Sequence, residues 1–319
     1  MSARRARASI LLALALAAPP GSAGARKRNI PPPPTGELLL DMAEPVIALN
    51  VGRVKLRLRV GLEQKRLIEL NPDAAERLRA DPPDRHFAFE PGFEAQVGRE
   101  TLKGIQAAVP VTINDRKMIV QVASHGRDCC TGVDGEIGMG LLPYATIRFV
   151  RAGTADPGRS ADFLIDDDSE HGPQATISVG RSPMFVQFSL ERPDSVATAS
   201  AGAILARAHG GRLDSTGGPT VAAFGVARPT ALLSFPRPVE LAGFRFGKLP
   251  VRIADFAGRF DFPADPAEPG DIVIKKKTEQ QAAWPVVMIG RDRMDRCSAA
   301  LFDTVAHRLT LRCAFDGAS

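Results

Sequence analysis

Val54-Lys55-Leu56-Arg57-Leu58-Arg59-Val60 alternates apolar and basic residues without a break. That period of two puts Val54, Leu56, Leu58 and Val60 on one face of a β-strand and the basic residues on the other. With Val46-Ile47-Ala48-Leu49 before it and Asn50-Val51-Gly52-Arg53 between, the stretch reads as a hairpin. Asn71-Pro72 then offers an N-cap and a first-turn proline for a short helix through Ala74, Ala75 and Leu78. A second hairpin follows, with Val109, Val111 and Ile113 leading to a turn at Asn114-Asp115 and out through Met118, Val120 and Val122. The unit closes on Asp134-Gly135-Glu136-Ile137-Gly138 and Leu141-Leu142-Pro143.

The same order recurs further along. Val186, Phe188 and Leu190 alternate, and Ala199 to Ala208 can form a helix ended by Gly210-Gly211. Phe244-Arg245-Phe246 and Leu249 to Ile253 supply further strands, with short apolar strands at Ile272-Val273-Ile274 and Val286-Val287-Met288-Ile289. Met288-Ile289-Gly290 stands where Glu136-Ile137-Gly138 stood in the first unit. Residues 152–174, with Pro157-Gly158, Asp166-Asp167-Asp168 and Gly172-Pro173, show no period and read as a connection. Its acidic run from Asp166 to Glu170, beside His171, lacks the spacing of a calcium loop and reads as solvated.

The first 25 residues join Arg4, Arg5 and Arg7 to an apolar run from Ile10 to Ala18 and an Ala23-Gly24-Ala25 end, the pattern of a secretory signal peptide. The run is short for a bilayer span, and no later segment is long and apolar enough for one. The formal charge of +5 falls to +2 when those three arginines are subtracted, so a nucleic-acid partner is not implied. Arg26-Lys27-Arg28 and Pro31 to Pro34 give an extended spacer over 26–43. Export into the periplasm or medium permits disulfides. Cys297 and Cys313 lie 16 positions apart in a strand-rich stretch, where a hairpin can bring their Cα atoms within the usual roughly 4.4 to 6.8 Å, and closing that loop contributes about 3 kcal/mol. Adjacent Cys129 and Cys130 leave a strained vicinal bond or bonds to the other pair as alternatives. No Cys-x-x-Cys spacing or paired His supports a metal site.

The repeated plan, together with the ending Ile289-Gly290-Arg291-Asp292-Arg293-Met294, Leu301-Phe302-Asp303 and Arg308-Leu309-Thr310-Leu311, resembles the pepsin-like and retropepsin-like aspartic proteases. The resemblance covers about residues 44 to 315. It implies a mainly β, two-lobed fold with short helices and a cleft, the lobes at 44–151 and 175–315 and a linker at 152–174. It also implies an Asp-Thr-Gly loop after the first hairpin of each lobe, because two carboxylates sharing a proton perform this hydrolysis. Neither loop is present. The first reads Val60-Gly61-Leu62-Glu63-Gln64, with Gly61 or Leu62 at the aspartate; the second region, Leu190-Glu191-Arg192-Pro193-Asp194-Ser195, offers Glu191 or Asp194 without a following Thr-Gly.

The catalytic candidates are therefore Glu63, Glu191 and Asp194, and each has a plainer reading. Glu63, beside Lys65-Arg66, suits a surface ion pair; Asp134 and Asp303, next to the closing turns, suit backbone donors. Ser124-His125 would point to opposite faces of a strand, and no Gly-x-Ser-x-Gly elbow exists. Gly135 to Gly140 lacks the Lys-Ser/Thr ending of a phosphate loop. His86, His171, His209 and His307 are scattered and read as ordinary surface or core residues. The expectation is an exported, catalytically silent peptidase-like protein without a cofactor, binding an extended polypeptide in its cleft. The alternatives are an active aspartic endopeptidase using displaced carboxylates and an envelope structural or interaction protein.

Overall fold

The computed structural model describes residues 33–97, 100–155, 159–167, 171–253 and 284–316. The signal-like segment and the strand expected at Ile272-Val273-Ile274 lie outside those residues. The described chain is mainly β, with two large sheets and three short helices.

The first half runs β1 (Glu37–Asp41), β2 (Val46–Val51), β3 (Val54–Gly61), β4 (Ile68–Leu70), α1 (Pro72–Ala80), β5 (Glu90–Val97), β6 (Glu100–Ile113), β7 (Arg116–Ser124), β8 (Gly135–Gly138) and β9 (Thr146–Val150). Alternation decides β3, whose Leu56, Leu58 and Val60 are buried in the core while the residues between them face away. The β6–β7 turn holds Asn114 and Asp115 at φ 50° and 57°, the left-handed pair that matches strand twist in a two-residue hairpin. Asn71 does stand at the N-cap of α1, but its side chain does not cap the helix. Its amide instead clamps the loop between β7 and β8, accepting from Cys129 N–H and donating to the Cys130 and Val133 carbonyls.

The second half runs β10 (Ser160–Asp166), β11 (Gln174–Val179), β12 (Ser182–Phe188), β13 (Val196–Ala197), α2 (Ala199–His209), β14 (Arg212–Thr216), β15 (Thr220–Ala223), β16 (Val226–Arg228), β17 (Thr230–Leu241), β18 (Phe244–Arg252), β19 (Val286–Ile289), α3 (Arg291–Met294), β20 (Cys297–Asp303) and β21 (Arg308–Cys313). Thr198 caps α2 by accepting from Ala201 N–H, and Gly210 ends it in the left-handed conformation.

The two halves share one topology. The seven-stranded sheet has the order β2-β3-β8-β4-β7-β6-β5, and the twelve-stranded sheet contains the run β11-β12-β19-β13-β18-β17-β14. Pairing senses match position by position. β3/β8 and β12/β19 are parallel, β4/β8 and β13/β19 antiparallel, β4/β7 and β13/β18 parallel, and β6/β7 and β17/β18 antiparallel. The rest of the larger sheet, β1-β9-β20-β21-β10, joins strands from both ends of the chain. Its inner face carries Phe149, Phe302, Leu309 and Leu311, all buried.

Two segments expected to be irregular contain strands. β1 falls within the spacer and β10 within the connection. In β1 the unbroken Leu38-Leu39-Leu40 hides an alternation whose middle member is exposed, and in β10 the exposed Leu164 does the same between Phe163 and Ile165. Asp134 and Asp303 satisfy backbone donors as expected: Arg57 N–H for the first, Val305 and Ala306 N–H for the second. Cys297 and Cys313 are bonded across β20 and β21, where they are register partners, and their Cα atoms lie 3.8 Å apart, closer than the expected span.

Gly138 sits under the loop that leaves β3, where a Cβ would fall 1.9 Å from the Lys65 carbonyl oxygen. Gly138→Ala should therefore lower stability by about 1–3 kcal/mol, read as a fall in the urea midpoint. Gly247→Ala, with no heavy atom within 4 Å of the added carbon, should change it by less than about 0.5 kcal/mol. Equal midpoints for the two variants would show that the loop does not bear on Gly138.

Candidate functional site

Register places three ionisable residues in one row across the first sheet. Arg59 of β3 pairs with Glu136 of β8, and Glu136 pairs with Glu69 of β4. Because their neighbours Val60, Ile137 and Ile68 point into the core, the row lies on the opposite face. That face is covered as well. Glu69 is 1% exposed and its Oε1 accepts from His125 N–H at 3.2 Å and lies 2.8 Å from His125 Nδ1. Phe224, in the turn between β15 and β16, lays its ring against His125 with centroids 4.4 Å apart.

The loop after β12 meets this row from the other half. Val60 pairs with Ile137 and Phe188 pairs with Ile289, so Ser189 occupies in the second repeat the place of Gly61 in the first. Ser189 Oγ donates to Glu63 Oε1 at 2.9 Å and accepts from the backbone N–H groups of Glu191 and Arg192 at 3.2 and 3.0 Å. Glu191 forms an ion pair with Arg59. Arg192 donates to the Val221 and Ala222 carbonyls of β15 at 2.5 and 2.7 Å, with its Nη2 4.0 Å from Glu63 Oε1. Glu63 Oε2 is buried with no hydrogen-bond partner among the described residues.

Gly61 leaves room that Glu136 fills. A Cβ built on Gly61 would lie 2.1 Å from Glu136 Oε1 and 2.9 Å from Gln64 Cβ. Burial pushes the Glu136 carboxyl up to about 8, with the charge of Glu63 acting in the same direction, Arg59 opposing, Glu69 adding and Arg192 opposing. Near neutral pH this acid keeps its proton. The second repeat has no such row, since Gln187, Met288 and Val196 stand at the positions of Arg59, Glu136 and Glu69.

Of the residues expected at the site, Gly61, Glu63 and Glu191 are brought together. Leu62 is buried in the core, and Asp194 is exposed, contributing only backbone beneath Gly290. The ion-pair partner expected for Glu63 in its own loop gives way to Ser189 and Arg192 from the other half. Sequence reasoning missed Arg59, Glu69, Glu136, Ser189 and Arg192, and considered His125 only as a partner for Ser124. The available signal was an acid inside each of two short apolar strands, Leu67-Ile68-Glu69-Leu70 and Gly135-Glu136-Ile137-Gly138.

Two further features border the site. Val97 and Leu102, from the β5–β6 hairpin, cluster with Ala222 and Val226 of β15 and β16, so hairpins from both halves meet. Both Cys129 and Cys130 are free thiols; the hydrogen bond with Cys130 first, and then burial, hold Cys129 far above the ordinary thiol range. A cavity of about 330 Å³, lined by Arg148, Val150, Arg151, Ala299 and Leu301 among others, involves none of the row. No protein-family model and no curated protein matches the chain in sequence.

The raised Glu136 carboxyl makes stability depend on pH with a definite sign. Between its ordinary 4.5 and about 8 the folded state holds a proton that the unfolded state has released, so raising the pH through this window favours unfolding. The urea midpoint of the native chain should fall from pH 5 to 8.5 relative to that of Glu136→Gln, then run parallel to it. Parallel profiles throughout would mean that Glu136 titrates as an ordinary carboxylate.

Proposed function

We propose that this is an exported protein of the aspartic-peptidase-like type, with two lobes and a cleft between them, that lacks the proteolytic dyad and binds an extended polypeptide segment. The duplicated strand order, with matching parallel and antiparallel pairings, supports the fold half of this reading. The observation that carries the functional half is the pair of residues at the equivalent loop positions, Gly61 and Ser189. Neither ionises, and the Glu136 carboxyl already occupies the space an aspartate at 61 would need. Ser189 is committed to three hydrogen bonds.

Binding of an extended chain is supported by the strand edges at β5 and β14, each last in its sheet order, where a peptide could add as a further strand. The hairpins that meet through Val97, Leu102, Ala222 and Val226 would part to admit it. Export is supported by the signal-like beginning, and the Cys297–Cys313 bond accords with an oxidising compartment.

A second reading, an endopeptidase with displaced carboxylates, is favoured by one observation. Glu63 has a buried, unpartnered oxygen while nearby Glu136 is held protonated, so one could serve as base and the other as acid. The two readings separate in one experiment. The full chain is incubated with reduced, carboxymethylated unfolded protein from pH 3 to 8, and both cleavage and fluorescence anisotropy are followed. We expect saturable binding without cleavage above a blank, and loss of binding when Leu102→Cys and Ala222→Cys are oxidised to tie the hairpins together. Cleavage that drops about 10²- to 10⁴-fold in Glu63→Gln or Glu136→Gln would replace this reading with the second. Neither binding nor cleavage would leave the chain as a structural or interaction protein of the envelope.

A further inference from the structure

The loop between β7 and β8 presents two adjacent thiols in one direction. Cys129 Sγ lies 3.3 Å and Cys130 Sγ 3.9 Å from the same atom, Asn71 Oδ1, and Cys129 Sγ also lies 3.7 Å from the Glu69 carbonyl oxygen. Cys129 is half-buried and Cys130 buried. The chain's other two cysteines are bonded to each other, so they are not competing partners. Gly126 and Gly132 flank the pair at φ 70° and 78°, each with open space around it, which leaves the loop ends room to turn.

The pair is also wired to the charged row. Asn71 Oδ1 accepts from the Cys129 and Cys130 N–H groups at 2.9 and 3.4 Å, while its Nδ2 donates to the Cys130 carbonyl at 2.8 Å and the Val133 carbonyl at 2.9 Å. Directly after the cysteines, the Thr131 carbonyl accepts from Arg59 at 3.0 Å and the Gly132 carbonyl from Arg57 at 3.2 Å. Arg59 is the residue that reaches Glu191 in the other half.

We propose that Cys129 and Cys130 are a redox site, a dithiol that closes to a vicinal disulfide by exchange with a small disulfide such as oxidised glutathione, and whose state governs how firmly Arg59 is held. The hydrogen-bonded pair loses one proton as a unit, and Cys129, as the more exposed of the two, attacks as thiolate one sulfur of the glutathione disulfide, forming a mixed disulfide and releasing one glutathione thiol. Cys130, as thiolate, then attacks the Cys129 sulfur of that bond and releases the second. The two cysteines lose two electrons and two protons, and the oxidant gains them as two thiols. Closing a ring around a single peptide bond strains it, and strained disulfides are the easily reduced, regulatory ones rather than permanent staples. The ring turns the peptide that now faces Asn71, releasing that clamp and with it the carbonyls that hold Arg57 and Arg59.

The test uses the full chain equilibrated in glutathione buffers of rising oxidised fraction, overnight at pH 8.5 because the raised Cys129 keeps thiolate scarce. Free thiols are then alkylated under denaturing conditions and peptides mapped by mass. We expect the peptide holding Cys129 and Cys130 to become unalkylated, lighter by two hydrogens and free of glutathione, in one two-electron transition that leaves Cys297–Cys313 unchanged. Cys130→Ser should instead trap one glutathione on Cys129. Thiols that stay alkylatable throughout, or a native chain that carries glutathione on each cysteine, would overturn the site. Amide hydrogen exchange at residues 57–59 and 131–134 should speed up on oxidation of the native chain and not of the Cys129→Ser/Cys130→Ser double variant. Ring formation with unchanged exchange would overturn the link to Arg59.

Discussion

Two glycines bring the backbone closer to itself than any other residue could. A Cβ on Gly138 would fall 1.9 Å from the Lys65 carbonyl oxygen and 2.7 Å from that of Gln64; one on Gly290 would fall 2.5 Å from Asp194 C and 2.8 Å from the Arg192 carbonyl oxygen. In each repeat the loop leaving one strand is thus pressed over the end of its parallel partner. Those loops carry Glu63 on one side and Ser189, Glu191 and Arg192 on the other. The contacts between the halves, Glu63 with Ser189 and Arg59 with Glu191, depend on that pressing. Glycine here answers a close approach, not a turn, since neither residue has a positive φ.

The same framework then admits two solutions for its face. In the second repeat it is Val196 and Met288, both buried, beside Gln187; in the first it is Glu69, Glu136 and Arg59. Taking charges out of water costs several kcal/mol per ion, and apolar replacements of similar volume are often neutral or stabilising. This uncharged row shows that the topology does not need the charges. Packing alone therefore gives no reason for the first repeat to hold an acid at about 8 beside a buried Glu–His pair, and this asymmetry is the strongest ground for looking for function there.

Most of the architecture was legible because it is written in short-range patterns: the period of two in β3, Asn114-Asp115 in the β6–β7 turn, Gly210 after α2. β1 and β10 were missed where an outward leucine filled the polar half of the alternation. The site was legible only in part. Gly61, Glu63 and Glu191 could be found from the loop that follows the first hairpin of each half, but Ser189 needed the register of Phe188 with Ile289 to be known. Glu69, Glu136 and Arg59 form a row across strands that are distant in sequence, and no local pattern reports such a pairing. Asp194 fits the site by chemistry alone, which cannot distinguish an inward acid from an exposed one.

Arg192 connects the site's charge to its closure. Its guanidinium stands near Glu63 and is held in place by two backbone carbonyls, Val221 and Ala222, from the hairpin whose turn also sets Phe224 against His125. Lifting that hairpin would strip Arg192 of both acceptors and open the covered Glu69–His125 pair, and a part-buried cation without acceptors is costly. On the proposed reading, the occupant best able to offset this cost is one that offers Arg192 what the hairpin now offers: carbonyl oxygens spaced along an extended backbone. A compact ligand with a single acceptor would leave one donor unmet, whereas a polypeptide strand brings a carbonyl at every residue. The closed hairpin can thus be regarded as an internal stand-in for the peptide, and its removal as the step that couples binding to the charged row.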